Sequence, residues 1–304
     1  MNLLLFGANG QVGWELRRAL APLGSLIALD REGQENLCGD LTRLEGLHET
    51  VDAVKPDVVI NAAAYTAVDH AESEPELAGR VNRDAPATLS RAAREINALL
   101  IHYSTDYVFD GSGDRAWCES DPTGPLNVYG KTKLAGEEAI RESGCRHLIF
   151  RTSWVYAARG HNFIRTMLRL AAERDSLQIV EDQIGAPTGA ELIADVTAHA
   201  IRTTVEQPAF EGTYHLAARG QTSWHGFASF AIEQACQEGW PVKVAGENIE
   251  PVGTDAFPTP APRPGNSRLC VDKLESVFGL VMPDWTVGVQ RVVSEILTTR
   301  MEKD

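Results

Sequence analysis

Short apolar runs alternate with longer amphipathic stretches through the first half of the chain. Residues 3–6 form the first run, which ends at Gly7, and residues 12–20 carry apolar positions at helical spacing. A second run over 25–30 ends in an acid. A third covers 57–61 (D-V-V-I-N), a fourth 99–104 (L-L-I-H-Y-S), and a fifth starts at 147–150. Helical patterns fall between them over 44–54, over 76–97 in two pieces, and over 128–143. Short buried strands alternating with helices predict a parallel sheet covered on both faces. The fold class expected is α/β, a Rossmann-type doubly wound parallel sheet.

The second half is less regular. Residues 162–173, 191–204, 223–237 and 285–298 have helical patterns, and 213–217 reads as a strand. Residues 256–266 (A-F-P-T-P-A-P-R-P-G-N) must be a loop, and the ordered patterns beside it make it a binding loop, not a linker. The expected division is a dinucleotide-binding domain over 1–155, completed by segments near 190–235, with 156–304 mainly a smaller α/β substrate-binding lobe.

Composition narrows the function. The 304 residues suit one large domain or two smaller ones. A net charge of −14, from 28 Lys and Arg against 42 Asp and Glu, argues against general binding of nucleic acid or anionic membrane. A local basic site for one small anion stays open. No segment has the roughly 18 apolar residues of a membrane span, and the start lacks the basic region of a signal peptide. The five cysteines are scattered, with no C-x-x-C, and the eight histidines show no metal-binding spacing. A cytoplasmic protein with free thiols is expected.

Gly7-Ala8-Asn9-Gly10-Gln11-Val12-Gly13 lies between the first strand and the first helix. Glycines there permit a tight turn and close approach of backbone N–H groups to a pyrophosphate, and the helix N-terminus favours the anion. Asp30 stands twenty residues beyond Gly10, at the end of the second strand, where an acid would bind ribose hydroxyls. Asp40 and Leu41 would border the adenine. Ala62, Ala63 and Ala64 would let a cofactor lie close to the sheet edge, with Thr66 and Tyr103 in the same cleft. Asp30 favours NADH. Arg31 either pairs with the extra phosphate of NADPH or is a solvated charge, so both cofactors are expected to work.

Tyr129-Gly130-Lys131-Thr132-Lys133 opens a helix and places Tyr129 and Lys133 on one face. A tyrosine needs a shift of about 3 pKa units, roughly 4 kcal/mol, to ionise near neutrality. A neighbouring ammonium and a cationic nicotinamide could together supply it. Alone, the pair also fits a half-buried tyrosine beside a solvated lysine. Ser104-Thr105-Asp106-Tyr107 follows the fourth strand, where catalytic groups of open α/β sheets gather. Thr105 would either hold a carbonyl oxygen or cap a turn.

These residues resemble the extended short-chain dehydrogenase/reductase superfamily, and within it the dTDP-4-dehydrorhamnose reductases. The resemblance is carried by G-A-N-G-Q-V-G-W-E-L, N-A-A-A-Y-T-A-V-D-H-A-E, H-Y-S-T-D-Y-V-F-D-G, P-L-N-V-Y-G-K-T-K-L-A-G-E, R-T-S-W-V-Y, D-Q-I-G-A-P-T-G and R-P-G-N-S-R-L. It covers nearly the whole chain. It implies NADH- or NADPH-dependent reduction of the C4 keto group of a dTDP-sugar. Tyr129 would be proton donor, Lys133 would tune Tyr129 and hold ribose, and Thr105 would orient the carbonyl. Asp106 and Trp154 would contact the sugar nucleotide. Related 4,6-dehydratases carry Asp-Glu after the threonine, whereas Tyr107 follows Asp106 here, which favours simple reduction over elimination. Arg263 and Arg268 are candidates for the substrate diphosphate, or ordinary surface arginines. Some such reductases are homodimers with magnesium held by glutamates, and the matching positions are Glu15, Glu191 and Glu295. The alternatives are solvated glutamates, another sugar-nucleotide epimerase or reductase, or a non-catalytic subunit resembling the regulatory subunit of methionine adenosyltransferase.

Overall fold

A computed structural model describes residues 1–244 and 246–301. Strand β1 (Asn2–Phe6) opens the chain with successive side chains on opposite faces. Leu3 and Leu5 enter one apolar core, and Leu4 and Phe6 enter another. A strand buried on both faces can only lie inside a covered sheet, and the remaining elements provide the cover.

In chain order these are helix α1 (Gln11–Leu20), β2 (Ser25–Leu29), α2 (Leu44–Val54) and β3 (Val58–Asn61). Then come α3 (Val68–Ser73), α4 (Pro75–Gly79), α5 (Ala85–Glu95), β4 (Leu99–Thr105), α6 (Val128–Ser143) and β5 (His147–Thr152). A π-helical turn over Arg80–Asp84 joins α4 to α5, so the expected two-piece helix is observed as one path with a widened middle. Pro86 sits just beyond and has no N–H to give to the Asn82 carbonyl, which accounts for the break in the α pattern.

The second half adds β6 (Val155–Tyr156), α7 (Phe163–Glu173), β7 (Leu177–Val180), β8 (Ile184–Gly185), β9 (Thr188–Gly189), α8 (Ala190–Glu206) and β10 (Gly212–His215). It ends with β11 (Thr222–Ser223), α9 (Trp224–Gln237), β12 (Ile249–Val252), α10 (Asp272–Phe278) and α11 (Trp285–Met301). The central sheet has the order β10-β5-β4-β3-β1-β2, with every pair parallel. Helices α1 and α8 cover one face; α2, α5 and α6 cover the other. This is the doubly wound Rossmann-type arrangement, with its strand order reversing at β1.

Segment 190–235 divides between the two layers of the molecule. α8 packs against α1, and β10 extends the sheet beside β5. α9 instead packs on α7 and α11, forming a third apolar core around Phe227, Trp285 and Val289. The small pairs β7–β12, β8–β11 and β6–β9 complete this lobe. The proline-rich loop is pinned to the sheet half: the Asn127 side-chain amide donates to the Pro262 carbonyl at 2.8 Å, and Asp69 bonds the Ala261 N–H at 3.2 Å. Among the described residues no helix is long and apolar enough to cross a membrane.

Candidate active site

A cleft of about 1020 Å³ opens at the C-terminal ends of the sheet strands, between the sheet and the second lobe. Chain order reverses between β2-β1 and β3, so the loops after β1 and β3 part there and leave a crevice. Gly7 has φ of +86°, in the left-handed region, and a Cβ on it would stand 2.7 Å from the Ala63 nitrogen. Gly13 is buried behind the turn, where a Cβ would meet the Gly7 carbonyl oxygen at 2.0 Å. The turn is therefore folded tightly onto the sheet edge, with Gly10 as the N-cap of α1 and no acid in the helix's first turn. Such a helix start offers its first N–H groups to an anion.

The floor of the cleft brings together most of the residues singled out above. Gly7, Gly10, Gln11 and Val12 come from the first turn, Asp30 and Arg31 from the end of β2, and Asp40 and Leu41 from the following loop. Ala62, Ala63, Ala64 and Thr66 follow β3, and Tyr103, Thr105 and Asp106 end β4. Asp30 is oriented by the Asn9 amide at 2.7 Å and the Glu32 N–H at 3.0 Å. The Arg31 side chain is 81% exposed and its Nε lies 3.7 Å from Asp40, so it is free to swing toward either partner. A dinucleotide fits this set: a glycine cradle for its diphosphate, an acid for a ribose, and small residues where it crosses the sheet edge.

Tyr129 and Lys133 reach the same cleft from α6. The Asn127 side chain caps that helix by accepting the Gly130 N–H at 2.8 Å, and Glu72 accepts the Val128 N–H at 2.8 Å. The Tyr129 ring meets Tyr107 edge-on, centroids 5.6 Å apart. Burial pushes the Tyr129 phenol up to about 12, against a lowering hydrogen bond from Thr105. Lys133 lies one helical turn beyond Tyr129 on α6. Its Nζ donates to the Tyr103 carbonyl at 2.6 Å and lies 3.4 Å from His102 Nε2. Burial pushes Lys133 down to about 8, with Glu137 opposing. Tyr103 thus contributes its backbone to the site, while its hydroxyl pairs with Thr197 at 2.9 Å on α8.

Thr105 donates to Asp106 Oδ1 at 3.0 Å and accepts the Tyr107 N–H at 3.2 Å. The hydroxyl is thereby fixed in position beside Tyr129 and caps the turn that follows β4. Burial pushes the Asp106 carboxyl up to about 6, despite hydrogen bonds from Ser267 and Thr105.

Trp154 forms the opposite wall. It is a non-glycine residue at φ +47°, and its ring stacks on Trp224 with centroids 3.8 Å apart. A Cβ on Gly185 would lie 2.8 Å from the Trp154 ring, so the glycine gives the indole its space. Trp224 also lines the cleft and was not singled out in the sequence. Its position inside an amphipathic helix reads as core. His102 was missed for the same reason: it is one residue in a buried strand.

Arg263 and Arg268 do not line the cleft. Arg263 is held by Asp69 at 2.7 Å, and Arg268 is engaged by Gln221 and Asn266. These local partners were invisible in a proline-rich stretch that shows no period.

Glu15, Glu191 and Glu295 lie on another face. Burial raises Glu191, and Glu15, Glu295 and Asp195 raise it further, while Arg291 stands 3.7 Å away and opposes them. Glu15 pairs with Arg18 at 3.4 Å. The three glutamates share a neighbourhood, but among the described residues no group of three or more acidic, His or Cys side chains is arranged to hold a metal. Within one chain they do not fit a magnesium ion.

A doubly wound sheet with a glycine turn, an acid after β2 and a Tyr-x-x-x-Lys helix defines a nucleotide-dependent oxidoreductase of the extended short-chain type. Comparison with known proteins narrows the class. A family model described as the RmlD substrate binding domain matches residues 1–298, and the chain belongs to that family. It is 56% identical over 299 residues to the dTDP-4-dehydrorhamnose reductase of Escherichia coli K12, covering 98% of this chain and 99% of that one. It is 49% identical over 302 residues to the reductase of the same name from Burkholderia thailandensis, covering 98% and 100%. Among solved structures, a dTDP-4-dehydrorhamnose reductase from Bacillus anthracis in complex with NADP superposes with TM-score 0.85 at 34% identity, covering 97% and 99%. One from Clostridium acetobutylicum superposes with TM-score 0.86 at 34% identity, covering 98% and 100%.

Proposed function

We propose that this protein reduces the C4 keto group of dTDP-4-dehydro-β-L-rhamnose to give dTDP-L-rhamnose, the last step of dTDP-rhamnose synthesis. The carrying observation is that Thr105 and Tyr129, from β4 and α6, meet Lys133 on the cleft opened by the Gly7 turn. The names of relatives at 56% and 49% identity support the substrate. Bound NADPH or NADH supplies the hydride. Gly7, Gly10, Gln11 and Val12 would cradle its diphosphate with Gly13 packed behind them, Asp30 and Arg31 would face the adenosine ribose, and Lys133 would hold the nicotinamide ribose.

Tyr129 carries its proton at neutral pH, as any phenol does, and burial raises its value further, so it has a proton to give to the C4 oxygen. Thr105 orients the carbonyl beside it, with its own hydroxyl fixed by Asp106. Trp154 presents a flat apolar face to the deoxysugar, and Asp106 contacts the sugar hydroxyls. Asp106 is followed by Tyr107 where an eliminating enzyme would place a second acid. A second copy of the chain would be needed to complete a magnesium site at Glu15, Glu191 and Glu295, in a homodimer. Free cysteines fit a cytoplasmic setting.

The test is NADPH or NADH oxidation with dTDP-4-dehydrorhamnose, comparing wild type with Tyr129→Phe. Loss of the proton donor should cost about 10²–10⁴-fold in kcat while cofactor binding persists. A folded, cofactor-binding wild type that never forms dTDP-L-rhamnose rejects the reading.

A further inference from the structure

The wall opposite Tyr129 has a framework of its own. Trp154 stands at φ +47°, in the left-handed region, where a residue with a side chain stays only if its surroundings hold it. Two contacts do so. The Trp224 indole lies over it, with centroids 3.8 Å apart and planes 15° from parallel. Gly185 leaves room at its edge, where a Cβ would come within 2.8 Å of Cε2. Trp224 opens α9 and is braced in turn by Phe163, centroids 4.6 Å apart.

A line of hydrogen bonds fixes the Trp224 ring. Its Nε1–H donates to Gln183 Oε1 at 3.1 Å, and Gln183 Nε2 donates to Thr254 Oγ1 at 3.1 Å. Thr254 Oγ1 then donates to Asp182 Oδ1 at 2.6 Å. The direction of this line is forced. An indole N–H can only donate, so Gln183 must turn its carbonyl oxygen to Trp224 and its NH2 to Thr254. The Thr254 hydroxyl accepts there and gives its own proton to Asp182. The far end is firm, because both Asp182 oxygens also accept the Thr254 N–H, at 3.0 and 2.9 Å.

One short segment carries both supports. Gln183 and Gly185 flank Ile184, which pairs with Ser223, the N-cap of α9. Gln183 is only 9% exposed. Its amide is therefore committed to this line and not to water.

We infer that Gln183 and Trp224 are positioning residues for the sugar nucleotide: Gln183 sets the plane of Trp224, and Trp224 sets the plane of Trp154, against which the deoxysugar lies. Both act through Trp154, and the inference rests on the reading of Trp154 as the sugar wall. A plate already held in one plane loses less freedom when a ligand settles on it, so the gain falls on substrate affinity. The cofactor side of the cleft, at the Gly7 turn and Asp30, has no part in this line. Were Trp224 only core packing, its disturbance would lower stability and affect both ligands alike.

The test compares the intact protein with Gln183→Met, which keeps the length of the side chain and removes both hydrogen bonds. A second variant, Trp224→Phe, keeps a ring for the stack and removes the N–H. In the wild type, far-ultraviolet circular dichroism should carry the couplet of two stacked indoles. The Trp224 Nε1–H, assigned by NMR through the backbone of α9, should exchange slowly with water. Gln183→Met should weaken the couplet and speed the exchange. It should raise KM for the dTDP-sugar about two- to tenfold, the range for one lost hydrogen bond, while kcat and the NADPH Kd change little. The double variant should fall short of the product of the two single effects on KM, because both substitutions remove the same bond. A wild-type indole N–H that exchanges as fast as an open one overturns the anchor, whatever the variants do. A folded Gln183→Met with unchanged KM overturns the positioning role, and so does one in which KM, kcat and NADPH Kd all worsen together. Failure of the wild type to reduce the dTDP-sugar would reject the reading of the cleft; the couplet and the exchange, read without ligand, would still decide the anchor.

Discussion

Asp106 shows how a single side chain ties stability to the site. Its carboxyl is raised from 3.8 to about 6, chiefly by burial. The folded state therefore holds its proton more tightly than the unfolded chain. Stability from this group is full below pH 3.8 and falls as pH rises through about 6, by about 3 kcal/mol in all. Asp106→Asn keeps an acceptor for Thr105 and removes the charge. Thermal melts should show the variant more stable than wild type at neutral pH and equal to it near the unfolded carboxyl value, with turnover reduced. Equal melting at neutral pH would mean that the carboxylate is not penalised. At this scale the sequence was readable where chemistry has a signature: Tyr129, Lys133, Thr105 and Asp30 stand in fixed relation to strand ends. His102 and Trp224 had no such signature, because one polar residue within a buried strand or an aromatic within a helix looks like packing.

Among the elements, α6 does the most, since it carries Tyr129 and Lys133 and must be held against β5. Glu137 provides the clamp. It is fully buried and receives Arg151 through Nε at 2.9 Å and Nη2 at 2.7 Å, with Arg141 at 3.0 Å. These partners hold its carboxyl below the usual range despite burial. The sign is opposite to that of Asp106: the stability is present above the ordinary carboxyl value and is lost as pH falls through the lower folded one. Glu137→Gln leaves Arg151 buried without its counter-charge, a loss expected to be about 3–5 kcal/mol. Denaturant unfolding at neutral pH measures it, and an unchanged midpoint would dismiss the clamp. The sequence predicted α6, α2 and the five leading strands closely because their apolar periods are long or strongly bounded. The pairs β6–β9 and β8–β11 are two residues per strand, too short for any period to show. Their pairing is decided by where the second lobe folds back.

For the whole molecule, the sheet and the second lobe are not consecutive blocks. β10 joins β5 in the sheet from residues 212–215, after the chain has already built α7 and β7–β9 of the lobe. α8 returns to cover α1 on the way. A protein cut after residue 155 should lack both the sixth strand and half of one helical layer, and should not fold. Circular dichroism and cofactor binding of that fragment check this; a cooperative melt with retained binding would show that the first segment suffices. The alternation of patterns exposed the doubly wound class, but not which late segment would return, since a four-residue strand has the same apolar signal in either lobe.

The late arrival of β10 also has a consequence during synthesis. β5 is L-I-F at its centre, fully buried in the finished protein. Until residue 215 has left the ribosome, that strand is an open, apolar sheet edge, and α1 lacks the helix that covers it. For about a fifth of translation, between the appearance of β5 and that of β10, the nascent chain therefore displays a surface that other strands can join. Slow elongation between β5 and β10 would lengthen that exposure, so the yield of this protein in a crowded cell depends on how quickly one short strand follows the lobe that delays it.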